Sequence, residues 1–420
     1  MSIEEFNPWW RGSGYINYDP DIVKWSSAKV RWIPKEANTI SLKPFSLNFI
    51  YGPRQVGKTT MMKLIIRDLL NRVKPEAVFY YSCDLLSDYE ELLNVLRRYL
   101  RIKEEHGIEV SYIFLDEVTY VDEWFRAIKY SIDRGLFKND VVTITGSTSI
   151  SLRREVETFP GRRGYGVDVV LYPLSFQSYV KTLRPEIEVS PGWYGEIKEL
   201  FEKYLITGGF PLSINSYINF NTITSDVYKS YIDWITYDIR RMGRDEKLVK
   251  EVLSILLETA GSRVSYNSIA KELNVSHRTI SEYIDLLSRM LLIVALNYID
   301  VNTGNRDYRK LIKVHFIDPF IYRVISLWTG VKPPDDAIIV EGVVASHLSR
   351  VSEVGYTVIG SREIDVVSAS DFTGYEVKFR ERARGVDVKA GKMKKVITIS
   401  KDTEDINIIP AHVFLAQLNA

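Results

Sequence analysis

Phe49-Ile-Tyr-Gly-Pro-Arg-Gln-Val-Gly-Lys-Thr-Thr60 reads as an apolar strand running into Gly52-x-x-x-x-Gly57-Lys58-Thr59, with a helical pattern from Thr60 to Val73. This is the phosphate-binding loop in the strand–loop–helix context that the motif requires. Glycines at 52 and 57 let the backbone curl so that successive N–H groups point inward at phosphate oxygens. The following helix adds the positive end of its dipole. The expected nucleotide contacts are therefore Gly52, Pro53, Arg54, Gln55, Val56, Gly57, Lys58, Thr59 and Thr60. Lys58 would reach the β- and γ-phosphates and the Thr59 hydroxyl would ligate Mg²⁺. ATP or ADP with Mg²⁺ is the expected ligand set.

The strand Tyr112-Ile-Phe-Leu-Asp-Glu117 supplies the matching acids. It is expected to lie beside the loop-bearing strand, with Asp116 holding the metal and Glu117 acting as general base on water. Val141–Thr145 is a third such strand, and Thr145 or Ser147 at its end is a candidate γ-phosphate sensor or a helix cap. Arg153, Arg154, Arg162 and Arg163 follow. Arg162 or Arg163 is the candidate arginine finger, an arginine that stabilises transition-state charge, and a solvated basic face is the alternative.

Composition narrows the class. A chain of 420 residues calls for more than one core. With 45% hydrophobic and 26% charged residues it reads as globular. Cys83 is the lone cysteine, so no internal disulfide forms and a cytoplasmic location is expected. The five histidines show no zinc-ligand spacing. No apolar run approaches the ~20 residues needed to span a bilayer, so no membrane partner is expected. A net charge of +1 leaves any nucleic-acid surface local. Three glutamines amid many Tyr, Ile, Arg and Glu point toward a thermophile.

The pattern along the chain predicts an α/β protein. Residues 1–43 form an irregular, Trp-rich arm packed on the next domain. Residues 44–172 alternate strands (Leu47–Tyr51, Val78–Ser82, Tyr112–Leu115, Val141–Thr145, Val167–Leu171) with helices, which gives the parallel sheet of a P-loop nucleoside triphosphatase. Residues 173–244 are a helical lid broken at Gly208-Gly209-Phe210-Pro211. Residues 245–300 have helix-turn-helix spacing, with Ile269, Leu273, Val275, Ile280, Tyr283 and Leu287 as the apolar seam and a following wing strand, hence a winged-helix domain. Ser276 would cap the second helix and expose His277, Arg278 and Thr279 as the DNA-binding turn. A packing module without DNA contact is the competing reading.

Residues 301–420 place Glu341 on a helix, Asp365 on a strand and Glu376-Val-Lys378 on the next. This order resembles the PD-(D/E)xK nuclease core, with Ile364 where the naming proline would stand. Residues two apart on a strand share a face, so Glu376 and Lys378 project together. Asp365, Glu376 and Glu341 would hold the metal, and Lys378 would orient water or steady phosphorane charge. The basic run from Arg380 to Lys395 suits a phosphate backbone or a solvated loop.

The chain resembles the archaeal and bacterial AAA+-type ATPases that carry a DUF4143-like C-terminal region. The resemblance rests on Asn7-Pro-Trp-Trp10, Gly52-Pro-Arg-Gln-Val-Gly-Lys-Thr59, Phe114-Leu-Asp-Glu-Val118, Thr145-Gly-Ser147, Pro160-Gly-Arg162 and Tyr172-Pro-Leu-Ser-Phe176. Tyr204-Leu-Ile-Thr-Gly-Gly-Phe-Pro211 and Asp318-Pro319 extend it over nearly the whole chain. Thr119 departs from the glutamine that relatives often place there. The resemblance implies an AAA+-type ATPase core and a homo-oligomeric ring. The expected function is Mg²⁺-dependent ATP hydrolysis acting on DNA and coupled to the C-terminal winged-helix and nuclease-like module. The alternatives are a nucleotide-dependent signalling switch and a DNA-binding regulator with an inactive nuclease-like scaffold.

Overall fold

A computed structural model describes residues 2–146, 159–386 and 388–420. The chain divides into two compact units, Met1–Tyr172 and Pro173–Ala420. No helix among the described residues is long and apolar enough to cross a membrane.

The first unit is built on a parallel sheet of five strands: β1 (Ser46–Tyr51), β2 (Val78–Ser82), β3 (Tyr112–Asp116), β4 (Val141–Thr145) and β5 (Asp168–Val170). All run within two residues of the apolar stretches that predict them, because a strand buried on both faces needs an unbroken apolar run. Their order is β2-β3-β4-β1-β5. The expectation that the Asp116 strand lies beside the loop strand is corrected: β4 stands between them, paired to β1 through Ser46↔Val141 and to β3 through Tyr112↔Val141. Strand order depends on non-local pairing that apolar runs do not encode. Helices Lys58–Leu69, Tyr89–Glu105 and Trp124–Asp133 flank the sheet.

The arm is more ordered than its sequence suggests. It comprises three 3₁₀ turns and the helix Pro20–Ser27, capped by Asp19. Its side chains close the edge strand β2. The Asn7 amide donates to Tyr80 O at 2.9 Å and accepts from Tyr80 N at 2.7 Å. Both Trp9 and Trp10 donate their indole N–H to Val78 O. An edge strand exposes unpaired backbone groups, and these contacts satisfy them.

In the second unit, helices Phe176–Leu183, Tyr194–Thr207, Pro211–Phe220 and Ser225–Arg241 precede Glu246–Glu258, Tyr266–Glu272 and His277–Arg289. One sheet then runs through the rest of the unit: β6 (Arg263–Val264), β7 (Ile293–Ile299), β8 (Arg306–Asp307), β9 (Ile312–Phe316), β10 (Val354–Ile359), β11 (Arg362–Ser368), β12 (Gly374–Lys378), β13 (Val396–Ser400) and β14 (Ile408–Pro410). Its order is β14-β13-β12-β11-β10-β7-β9-β6, with β8 on β7. The segments 245–300 and 301–420 thus share a sheet, joined where β7 pairs in parallel with β10. Helices Pro319–Thr329, Asp336–Val351 and Ala411–Gln417 complete the unit.

The Gly208-Gly209 break meets the distant Asp318. The buried Asp318 carboxylate accepts from Gly209 N at 2.7 Å and, as cap of the helix Pro319–Thr329, from Phe320 N at 2.9 Å. Gly208 has φ 58°, and a Cβ there would lie 1.7 Å from Asp318 Oδ1. Gly208→Ala is therefore expected to destabilise this unit by ~2 kcal/mol or more, read by denaturant unfolding. Burial, opposed by these two hydrogen bonds, raises the Asp318 pKa to about 6. A carboxyl with a raised folded-state pKa favours folding while protonated, and that contribution is lost as pH rises through its folded value. The stability of the parent relative to Asp318→Asn should therefore fall between about pH 4 and about pH 7 in paired denaturation curves.

Candidate functional site

The loop after β1 has the backbone its sequence demands. Gly52 has φ 155°, and a Cβ there would sit 2.5 Å from Leu171 O. Gln55 and Gly57 are also at positive φ, 63° and 101°. Pro53 and Val56 are buried, Arg54 is half-buried and donates to Tyr120 Oη at 2.7 Å, and Thr60 follows on the first helical turn. The Lys58 ammonium donates to Gly52 O at 2.9 Å and Pro53 O at 3.0 Å, across the mouth of its own loop.

Asp116 ends β3 and is 2% exposed. Its Oδ2 accepts from Thr59 Oγ1 at 2.6 Å and from Tyr80 Oη at 3.1 Å. Its Oδ1 accepts from Thr145 Oγ1, which in turn accepts from Glu117 N at 3.1 Å. Glu117 follows in the left-handed region, φ 57°. That is a rare conformation for a non-glycine residue, and it re-aims the side chain at a strand end. Thr59, Asp116, Glu117 and Thr145 are thus brought together. Thr119 packs its methyl against Gly146, where a Cβ would meet Thr119 Cγ2 at 2.5 Å. That close approach gives a physical reason for a small branched residue at position 119.

Sequence reading missed what stands behind Asp116. Lys63 is buried, pairs with Asp19 at 2.8 Å and lies 3.3 Å from the centre of the Tyr80 ring. Burial, ahead of the opposing pull of Asp19, lowers the Lys63 pKa. Burial and the charge of Asp116 push the Tyr80 phenol well up, so it stays a proton donor to that carboxylate. Only a tertiary fold brings Asp19, Lys63 and Tyr80 together, although an isolated Lys in the apolar run of the helix Lys58–Leu69 is a visible signal.

The two finger candidates are held by local acids. Arg162 pairs with Asp133 at 2.8 Å, and Arg163 makes a two-pronged contact with Asp168 at 2.8 and 2.6 Å. Ser147, Arg153 and Arg154 lie outside the described residues.

In the second unit, Ser276 caps the helix His277–Arg289 by accepting from Thr279 N at 3.0 Å. His277 and Arg278 are exposed, and Thr279 is half-buried. Arg278 is paired with Glu282 at 3.1 Å and Arg289 with Asp285 at 2.9 Å. Ile269, Ile280, Tyr283 and Leu287 of the expected seam are buried, whereas Leu273 and Val275 are half-buried.

Glu341, Asp365, Glu376 and Lys378 come from one helix and two adjacent strands. The pair Val366↔Tyr375 carries Asp365 toward Glu376 in the next register step, and Asp365 Oδ2 accepts from Val377 N at 2.8 Å. Glu376 pairs with Lys378 at 2.5 Å. At the metal position expected from Glu341, Asp365 and Glu376, however, the structure places the ammonium of Lys313. It lies 2.6 Å from Glu341, 2.7 Å from Glu363 and 3.2 Å from Asp365. His315, two residues on along β9, contacts Glu341 at 3.1 Å. Among the described residues, no group of three or more His, Cys, Asp and Glu is arranged to hold a metal ion. Burial pushes Glu341 up, but the hydrogen bond from His315 and the charge of Lys313 outweigh it and hold its pKa at about 2. Burial, with the charge of Glu341, raises Asp365 to about 7.

Residues 45–180 match the family model of an AAA domain. That match spans all five strands of the first sheet and the loop after β1. Residues 198–333 match a domain of unknown function, DUF8612, rather than the DUF4143-like region expected. An uncharacterized protein of Methanocaldococcus jannaschii is 25% identical over 331 residues, 72% of this chain and 67% of that protein. One of Haemophilus influenzae is 26% identical over 339 residues, 77% of this chain and 79% of its own. Among solved structures, the Walker-type ATPase of Pyrococcus abyssi aligns over 71% of this chain and 97% of its own, with 14% identity and a TM-score of 0.48.

The arm's contact with β2 yields a first test of this site. Asn7 is buried and carries two hydrogen bonds to Tyr80. Asn7→Ala should cost about 1–3 kcal/mol of stability, measured by denaturant unfolding, because Tyr80 N and O are then left without it.

Proposed function

We propose that this chain is a Mg²⁺-dependent ATP hydrolase of AAA+ type that acts on DNA, with its nucleotide cycle coupled to the second unit. The observation that carries the ATPase reading is the 2.6 Å bond between Thr59 Oγ1 and Asp116 Oδ2. A hydroxyl from the loop helix and a carboxylate from β3 meet at one point, beside a loop whose backbone already bends at Gly52, Gln55 and Gly57. This donor pair fits Mg²⁺, which takes one or two protein oxygens and keeps the rest of its shell for phosphate and water. Thr59 and Asp116 would hold the ion, which neutralises phosphate charge when bound.

The loop N–H groups from Gly52 to Thr60 would cradle the phosphates. Lys58, parked on Gly52 O and Pro53 O, would turn its ammonium to the β- and γ-phosphates. Glu117 would take the proton of the attacking water as general base. Thr145 holds Asp116 and the Glu117 backbone together, which fixes acid and base relative to each other. A finger at Arg162 or Arg163 would have to leave Asp133 or Asp168, both exposed acids whose pairing water screens. A ring of copies in the cytoplasm would let such an arginine act on a neighbour's nucleotide.

The DNA reading is supported by the exposed turn His277-Arg278-Thr279 at a capped helix N-terminus, where phosphates and base edges are met. Its acidic neighbours Glu282 and Asp285 weaken the field. For the nuclease-like centre, the position of Lys313 favours the scaffold alternative over metal-dependent cleavage.

Three measurements check this reading. Lys58→Ala should abolish ATP hydrolysis, and a parent-like rate in that variant would sink the ATPase assignment. Glu117→Gln should bind ATP but hydrolyse it at least ~10²-fold more slowly. The parent's ATPase rate should change on adding single-stranded, duplex or branched DNA, and an effect of none of them would favour the signalling switch.

A further inference from the structure

The carboxylate centre of the second unit is already filled by the protein's own cation. Lys313 lies in β9 with its side chain 1% exposed. Its three N–H bonds are matched by three carboxylates, Glu341 from the helix Asp336–Val351 and Glu363 and Asp365 from one face of β11. An ammonium has three donors and no acceptor, so this set satisfies it completely.

The backbone that carries Lys313 is held from both sides. It pairs with Arg263 of β6 and with Leu296 of β7. Withdrawing the ammonium would mean unpairing a strand or turning a long side chain through a closed core. The neighbouring charges also close around it. Arg263 pairs with Glu363 at 2.9 Å, and Lys378 with Glu376 at 2.5 Å. Four carboxylates thus face three fixed cations, and the buried Glu376 Oε2 has no hydrogen-bond partner. Taking Lys313 away would leave four carboxylates against two cations, a deficit that one divalent ion would fill. The centre would then offer oxygens from Glu341, Glu363, Asp365 and Glu376, a hard donor set suited to Mg²⁺ or Mn²⁺.

We propose that Lys313 is a built-in cation standing where a nuclease of this arrangement would hold its metal, and that removing it turns the cluster into a divalent-cation site. In the parent chain this centre binds no divalent ion and supports no metal-dependent strand cleavage. Glu341, Glu363 and Asp365 serve there to hold β9, β11 and the helix Asp336–Val351 together around an ammonium. This inference goes beyond the ATPase reading and does not rest on it.

The test is Mn²⁺ binding to the nucleotide-free full chain, followed by electron paramagnetic resonance of the free ion. The parent and Asp365→Asn should give the same isotherm. Lys313→Ala should gain about one Mn²⁺ per chain, and Lys313→Ala/Asp365→Asn should lose it again. Lys313→Met, which keeps the apolar stem but stops one atom short of the ammonium position, should also gain the ion if the alanine variant does not fold. A thermal melt should show both Lys313 variants stabilised by Mn²⁺ more than the parent and Asp365→Asn are. Mn²⁺ binding by the parent that Asp365→Asn abolishes would overturn the proposal without any Lys313 variant. Folded Lys313 variants that take up no extra ion would overturn it equally. Because no ATP is present and no turnover is read, neither result bears on the ATPase assignment.

Discussion

Asp116 is a buried carboxylate with three hydroxyl donors, and the first unit is organised around keeping it satisfied. Thr59 reaches it from the helix after the loop, Tyr80 from β2 and Thr145 from β4. Hydrogen bonds to a charged group are worth about 1.5–3 kcal/mol each, and a buried carboxylate stripped of them would carry a large desolvation cost. Loss of any one donor therefore disturbs the other two. The chain of contacts continues outward from Tyr80, whose ring lies against the Lys63 ammonium, which is paired with Asp19 of the arm. Asn7 of the arm holds the Tyr80 backbone. A segment that reads as an irregular appendage is thereby the back wall of Asp116.

Two lysines show how the partner set varies between the units. Lys58 donates to the carbonyls of Gly52 and Pro53. Lys313 rests on three carboxylates in a buried setting, where breaking any pair leaves an uncompensated charge. One side-chain type thus meets backbone carbonyls in the first unit and a closed set of carboxylates in the second.

What the sequence made legible was local. The strands of the first sheet are unbroken apolar runs, and the loop, its glycines and the acids at the end of β3 carry their spacing in the chain itself. The caps at Ser276 and Asp318 are equally readable, because a cap acts within three residues. What stayed hidden was non-local. The insertion of β4 between β1 and β3 follows from chain topology rather than residue type. Lys313 sits in Leu311-Ile-Lys-Val-His-Phe316, a run whose alternation reads as a half-exposed strand with Lys and His toward water. In the fold that face looks into the carboxylates, so an ordinary amphipathic pattern conceals a buried ion cluster. The nuclease-like acids could be named from their order along the chain, but the cation among them comes from a strand outside that order.

The shared sheet of the second unit has a mechanical consequence. The helix His277–Arg289 leads directly into β7, and β7 pairs with β9 from Ile293↔Phe316 to Leu296↔Lys313. The same β7 pairs with β10 further along, and β10 with β11, which carries Glu363 and Asp365. The helix His277–Arg289 and the cluster around Lys313 are therefore joined through β7. A sheet resists shear along its strands because slipping by one residue would turn every side chain to the wrong face. A displaced helix cannot slide β7 alone, and the ion cluster opposes any separation of β9 from β11. The buried lysine thus ties β9 to β11 and to the helix Asp336–Val351 within the same sheet that β7 enters.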